Sequence, residues 1–188
     1  MRPLLLDGPP PRWLWPVCAG VALILVVLAF AVPGEGGPAR GALALLAAAA
    51  PFLTAVDLRE RRLPDLITLP LAAGCALILL VTAALGGEWS RAGLAALCAL
   101  GATAFFLVLF VLAPSQMGFG DVKLMLSLGL VLGWQGPFVT IAGVMLGLVS
   151  ALVFGLVAMA LRRAGRRSHL ALGPHLIAGA LVLALLTA

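Results

Sequence analysis

The stretch Gly118-Phe119-Gly120-Asp121-Val122-Lys123 sets an acid and a base two residues apart, between two glycines and a long apolar run. A carboxylate beside lipid costs a few kcal/mol unless it is solvated or paired, so an acid here is a functional candidate by default. Gly118 and Gly120, lacking a Cβ, permit unusual dihedrals and let another backbone come close. A purely structural alternative is a tight turn before a helix, with Asp121 as its N-cap and Lys123 facing lipid headgroups. A second acidic stretch, Asp57-Leu58-Arg59-Glu60-Arg61-Arg62-Leu63-Pro64-Asp65, also follows an apolar run. Two carboxylates brought together at a partly dry site cannot both ionise easily, so one keeps a proton near neutral pH. In such a pair one carboxylate takes a proton from water as it attacks a peptide carbonyl, and its protonated partner polarises the carbonyl oxygen. The competing reading is that each aspartate separately caps a helix or pairs with Arg59, Arg61, Arg62 or Lys123.

The elements that position these residues must be membrane helices. Of the 188 residues 63% are hydrophobic and only 10% charged, with a mean hydropathy of +1.20, against about 25% charged in a soluble domain. The chain reads as an all-α, polytopic membrane bundle of about seven transmembrane helices, with function in the spans and their short loops. The apolar runs are Trp13 to Val32, Gly41 to Val56, Leu66 to Leu85, Ala92 to Ala113, Val122 to Gly133, Phe138 to Leu161 and Leu170 to Ala188. Residues 1–12 form a short head containing Arg2, Asp7 and Arg12, and 13–188 a single transmembrane domain. The first run also resembles a signal peptide, with Ala29-Phe30-Ala31 as a cleavage site, but it is longer and more hydrophobic than a usual signal core. The second run, about 24 Å as a helix, puts Asp57 at or just inside the membrane boundary.

Seven spans divide the twelve Lys and Arg residues very unevenly. Arg2, Arg12, Arg59, Arg61, Arg62, Lys123, Arg162, Arg163, Arg166 and Arg167 fall on one side, and Arg40 and Arg91 on the other. The positive-inside rule then puts the N-terminus in the cytoplasm and the C-terminus outside. Asp57, Asp65 and Asp121 all come to the cytoplasmic face. The net charge of +5 is thus a topology signal, and no nucleic acid is expected as partner. Cys18, Cys75 and Cys98 lie singly in apolar runs without Cys-x-x-Cys spacing, so they read as small packing residues, with no metal site and no cofactor.

Three motifs together carry a family resemblance. They are Asp57 with Leu63-Pro64-Asp65 and Thr68, then Gly118-Phe119-Gly120-Asp121-Val122-Lys123-Leu124, then Gly173-Pro174 within Leu172 to Ala180. In order and spacing they resemble the signatures of the type IV prepilin peptidases, intramembrane aspartic proteases of the Gly-x-Gly-Asp class, over roughly Gly41 to Ala188. The resemblance implies that Asp57 and Asp121 are the catalytic pair. It implies a prepilin or pseudopilin substrate with a short basic leader, cut on the cytoplasmic side after a glycine that precedes a hydrophobic helix. It also implies a multi-pass protein of a prokaryotic inner membrane; the composition adds lipids as partners, and a homo-oligomer is a further candidate. Longer members carry a cytoplasmic segment between the first two helices, often with paired Cys-x-x-Cys motifs, associated with N-methylation. Here that position holds only residues 33–40, so methyltransferase activity is not expected.

The remaining inner-face residues have simpler readings. Asp65 after Pro64 starts the third helix as its N-cap. Arg59, Arg61 and Arg62 set topology, and Lys123 either contacts the substrate or reaches to headgroups. His175, after Gly-Pro, reads as a packed or hydrogen-bonded histidine that could also support the acid pair. The Gly118 to Gly120 loop is expected to offer an extended edge to an unwound substrate. Two other functions compete: a proton-coupled carrier using the aspartates as a relay, and a non-catalytic scaffold of a pilus or secretion assembly. A carrier places its acids near the midplane. A scaffold tolerates Asp57→Asn and Asp121→Asn.

Overall fold

A computed structural model describes residues 13–31, 39–60, 65–113, 118–161 and 171–187; the head at 1–12, Pro64, Arg61, Arg62 and the basic block at 162–167 lie outside them. The helices are α1 (Leu14–Ala31), α2 (Arg40–Glu60), α3 (Asp65–Gly86), α4 (Trp89–Leu112), α5 (Phe119–Gln135), α6 (Pro137–Ala160) and α7 (Gly173–Thr187). There is no strand among the described residues. Lipid offers no hydrogen bonds, and a helix satisfies its backbone internally. Five helices, α1, α2, α3, α4 and α6, are long and apolar enough to cross a membrane, and the chain is a multi-pass membrane protein. At 17 and 15 residues, α5 and α7 reach only about 25 and 22 Å.

α5 can be short because protein, not lipid, surrounds it. It packs against α2, α3, α4, α6 and α7, and 11 of its 17 residues are buried. Small residues set the closest crossings. A methyl group on Gly129 would stand 2.5 Å from the Ala99 Cα, and one on Gly133 would stand 2.9 Å from the Ala95 Cα, so α5 and α4 touch backbone to backbone. On the other flank a methyl on Gly179 of α7 would lie 2.6 Å from the Gly147 nitrogen and 2.7 Å from the Gly143 oxygen of α6. Without a hydrophobic drive between helices in lipid, such packing supplies the adhesion.

α1 lies outside this group, against α2, where Trp15 stacks on Phe52 with ring centres 6.3 Å apart. The thiols serve in packing. Those of Cys18 and Cys75 point to the carbonyls of Pro51 and Ala42, each at 3.7 Å, and Cys98 lies against Gly133.

Helix ends depart from the apolar runs. α2 continues through Asp57 to Glu60, because nothing in Asp57-Leu58-Arg59-Glu60 breaks a helix; Asp57 is in the last turn, not past the end. α5 begins at Phe119 with Gly118 as N-cap in extended backbone, φ −79° and ψ 140°. Asp121 is therefore a first-turn residue and not the N-cap, and Gly120 is helical, so only Gly118 keeps the expected extended edge. α4 starts at Trp89, ahead of the apolar run that begins at Ala92, and Arg91 Nη1 meets Glu88 Oε2 at 3.2 Å. Asp65 is the first residue of α3. Residues 171 and 172 are not helical, and α7 opens on Gly173.

Candidate active site

The site forms where three helix ends meet. Asp57 sits in the last turn of α2, Asp121 in the first turn of α5, and Gly173 is the first residue of α7. A chain that reverses at every connection carries these three ends to the same end of the bundle. Asp57 and Asp121 are 5% and 6% exposed. A methyl group on Gly173 would stand 2.7 Å from Asp57 Oδ2 and 3.5 Å from Asp121 Oδ1, so these oxygens are no further apart than the sum of those lengths.

The same two oxygens have no hydrogen-bond partner among the described residues. Each carboxylate is nevertheless held by a backbone N–H. Gly173 donates to Asp57, and Gly118 donates to Asp121, the return half of a capping box from the third helical residue to the N-cap. The arrangement leaves one oxygen of each acid without a partner beside Gly173.

The other sequence candidates fall around this centre. Thr68 is fully buried in the first turns of α3, and Pro174 follows Gly173 in α7. Lys123 holds its Nζ 4.8 Å from the centre of the Phe119 ring, which itself packs on Phe110 at 5.4 Å. His175 turns to α6: its Nδ1 is 3.2 Å from Ser150 Oγ and its ring 5.3 Å from Phe154. It is a packed, hydrogen-bonded histidine, as read from sequence, on the α6 side of α7. Sequence reading named Gly173 without its closeness to both acids, and it missed Ser150, for which no sequence signal existed.

The chain is a membrane helix bundle that brings two buried carboxyl groups to one glycine at helix ends. The chain belongs to the Type IV leader peptidase family, whose model matches residues 42–186. It is 36% identical to the prepilin leader peptidase/N-methyltransferase of Aeromonas salmonicida (strain A449), over 84% of this chain and 53% of that protein. It is 35% identical to the protein of that name from Aeromonas hydrophila, over 85% and 55%. The match to that of Dickeya chrysanthemi is 32%, over 71% and 46%. The chain thus spans about half the length of the curated relatives it matches. No solved structure matches it.

Proposed function

We propose that this protein is an intramembrane aspartic endopeptidase that removes the leader of a type IV prepilin or pseudopilin at the cytoplasmic face. The observation that carries this reading is the convergence of two unpartnered, buried carboxyl oxygens, Asp57 Oδ2 and Asp121 Oδ1, on one point beside Gly173. Family membership and the names of the bacterial relatives supply the substrate class.

One aspartate, ionised, takes a proton from a water whose oxygen attacks the scissile carbonyl carbon. The other, protonated, gives its proton to the carbonyl oxygen, so the addition yields a neutral gem-diol. The first aspartate then protonates the departing amine nitrogen as the C–N bond breaks. The gem-diol returns a proton to the second aspartate, and the dyad is restored. In the closed site the backbone N–H groups of Gly173 and Gly118 hold the two carboxylates. Gly118, extended at the N-cap, and Lys123 and Pro174 are assigned supporting roles, as the family motifs also imply for Pro64 and Asp65.

The charge distribution supports a cytoplasmic N-terminus and an outer C-terminus. The placement of both acids within a turn of a helix end favours a peptidase over a midplane carrier. The test is incubation of the purified protein with a prepilin in detergent, followed by N-terminal sequencing. A single new N-terminus just after the leader glycine is expected, and an intact substrate would contradict the reading.

A further inference from the structure

The dyad is closed in this structure. Neither unpartnered oxygen, Asp57 Oδ2 nor Asp121 Oδ1, is exposed, so no peptide carbonyl reaches them until a neighbouring element withdraws. α2 and α5 carry the aspartates themselves, and α5 is gripped by five helices. α7 meets the acids with backbone alone, at Gly173.

The attachments of α7 differ along its length. Its far end is clamped by Gln135, whose Nε2 donates to the Ala184 carbonyl at 3.2 Å and whose Oε1 accepts from the Thr187 hydroxyl. Its middle crosses α6 where Gly179 meets Gly143 and Gly147 without intervening side chains. Its near end also lies close on α6, where a methyl on Gly147 would stand 2.9 Å from the Leu176 Cα and 3.1 Å from the His175 oxygen. There the side-chain attachments among the described residues are the Ser150 Oγ–His175 Nδ1 hydrogen bond at 3.2 Å and the His175–Phe154 ring contact at 5.3 Å. Interhelical hydrogen bonds of that kind in membranes are individually weak.

We infer that the first turn of α7 is a gate that pivots on the glycine crossing at Gly147, releases the Ser150–His175 latch and yields its place beside Asp57 and Asp121 to the peptide being cut. The identity of that peptide rests on the peptidase reading above; the opening does not. Small-amplitude tilting of one packed helix on another is an ordinary mode of gating.

The test separates the two. In a background with Cys18, Cys75 and Cys98 replaced by alanine, Ser150→Cys/His175→Cys is bridged by a short thiol-specific cross-linker, and Gln135→Cys/Thr187→Cys likewise as a far-end control. Each form is treated with dicyclohexylcarbodiimide, which adds to a protonated carboxyl group to give an acylurea. Labelling of the Asp57 and Asp121 peptides is read by mass, beside prepilin cleavage. Near-end bridging is expected to slow labelling at least ten-fold and to stop cleavage, both restored when the bridge is cut, whereas far-end bridging changes neither. Ser150→Ala, which removes the latch without a cross-link, is expected to label several-fold faster. Labelling that is unaffected by the near-end bridge, or absent from the unbridged protein, would overturn the gate. If labelling follows the expected pattern and no form cuts a prepilin, the gate stands and the peptidase reading fails.

Discussion

Gly173 and Asp57 are in such close register that a methyl group on the glycine would stand 2.7 Å from Oδ2 and 3.2 Å from Cγ of the aspartate. The atoms met are the end of a side chain, which can swing away, so the cost falls on the dyad more than on the fold. Gly173→Ala is expected to leave thermal stability in detergent nearly unchanged and to lower the cleavage rate about 100-fold, the usual effect of a misplacement near 1 Å. Rate and melting measured on the same preparation check this.

The opposite balance holds at Gly129. A methyl there meets the Ala99 Cα at 2.5 Å and its nitrogen at 3.1 Å, and backbone cannot step aside. Gly129→Ala is expected to destabilise by about 1–3 kcal/mol, as overpacking does, with α4 loosened from α5. Thermal aggregation in detergent measures the loss.

Gly136 and Gly118 also separate by backbone. Gly136, between α5 and α6, has φ 132°, which other residues rarely adopt, and Pro137 begins α6 directly after it. Gly136→Ala is expected to cost about 1–3 kcal/mol of strain. Gly118, at φ −79°, carries no such demand, and Gly118→Ala is expected to melt like the parent in the same assay.

Much of the fold was legible because lipid forces long apolar runs into helices, and the seven runs became seven helices. Their ends were less legible. Asp57 to Glu60 and Phe119-Gly120 look like loop when read by hydropathy, yet they are helical because charge and glycine at a helix terminus do not prevent the last or first turn. The central place of α5 was hidden, since its apolar run is too short to span, although Gly129-x-x-x-Gly133 and Gly143-x-x-x-Gly147 stand in the sequence as close-packing signals. Asp57 and Asp121 could be paired from topology and family motif. The part of Gly173 between them, and the turning of His175 to Ser150, depend on how α7 crosses α6, which no local pattern encodes.

The Gln135 clamp offers a structural control far from the acids. Gln135→Ala removes the bonds to Ala184 and Thr187 and is expected to cost about 1 kcal/mol. The cleavage rate of the folded fraction should not change, as assayed after gel filtration.

The most direct measurement is processing of a co-expressed prepilin by the parent protein and by Asp57→Asn and Asp121→Asn, followed by gel shift and N-terminal sequencing. Asparagine keeps the shape and removes the acid, so each variant should reach the membrane folded and each alone should abolish cleavage. Cleavage by either variant, at the same glycine and a comparable rate, would contradict the paired-acid account.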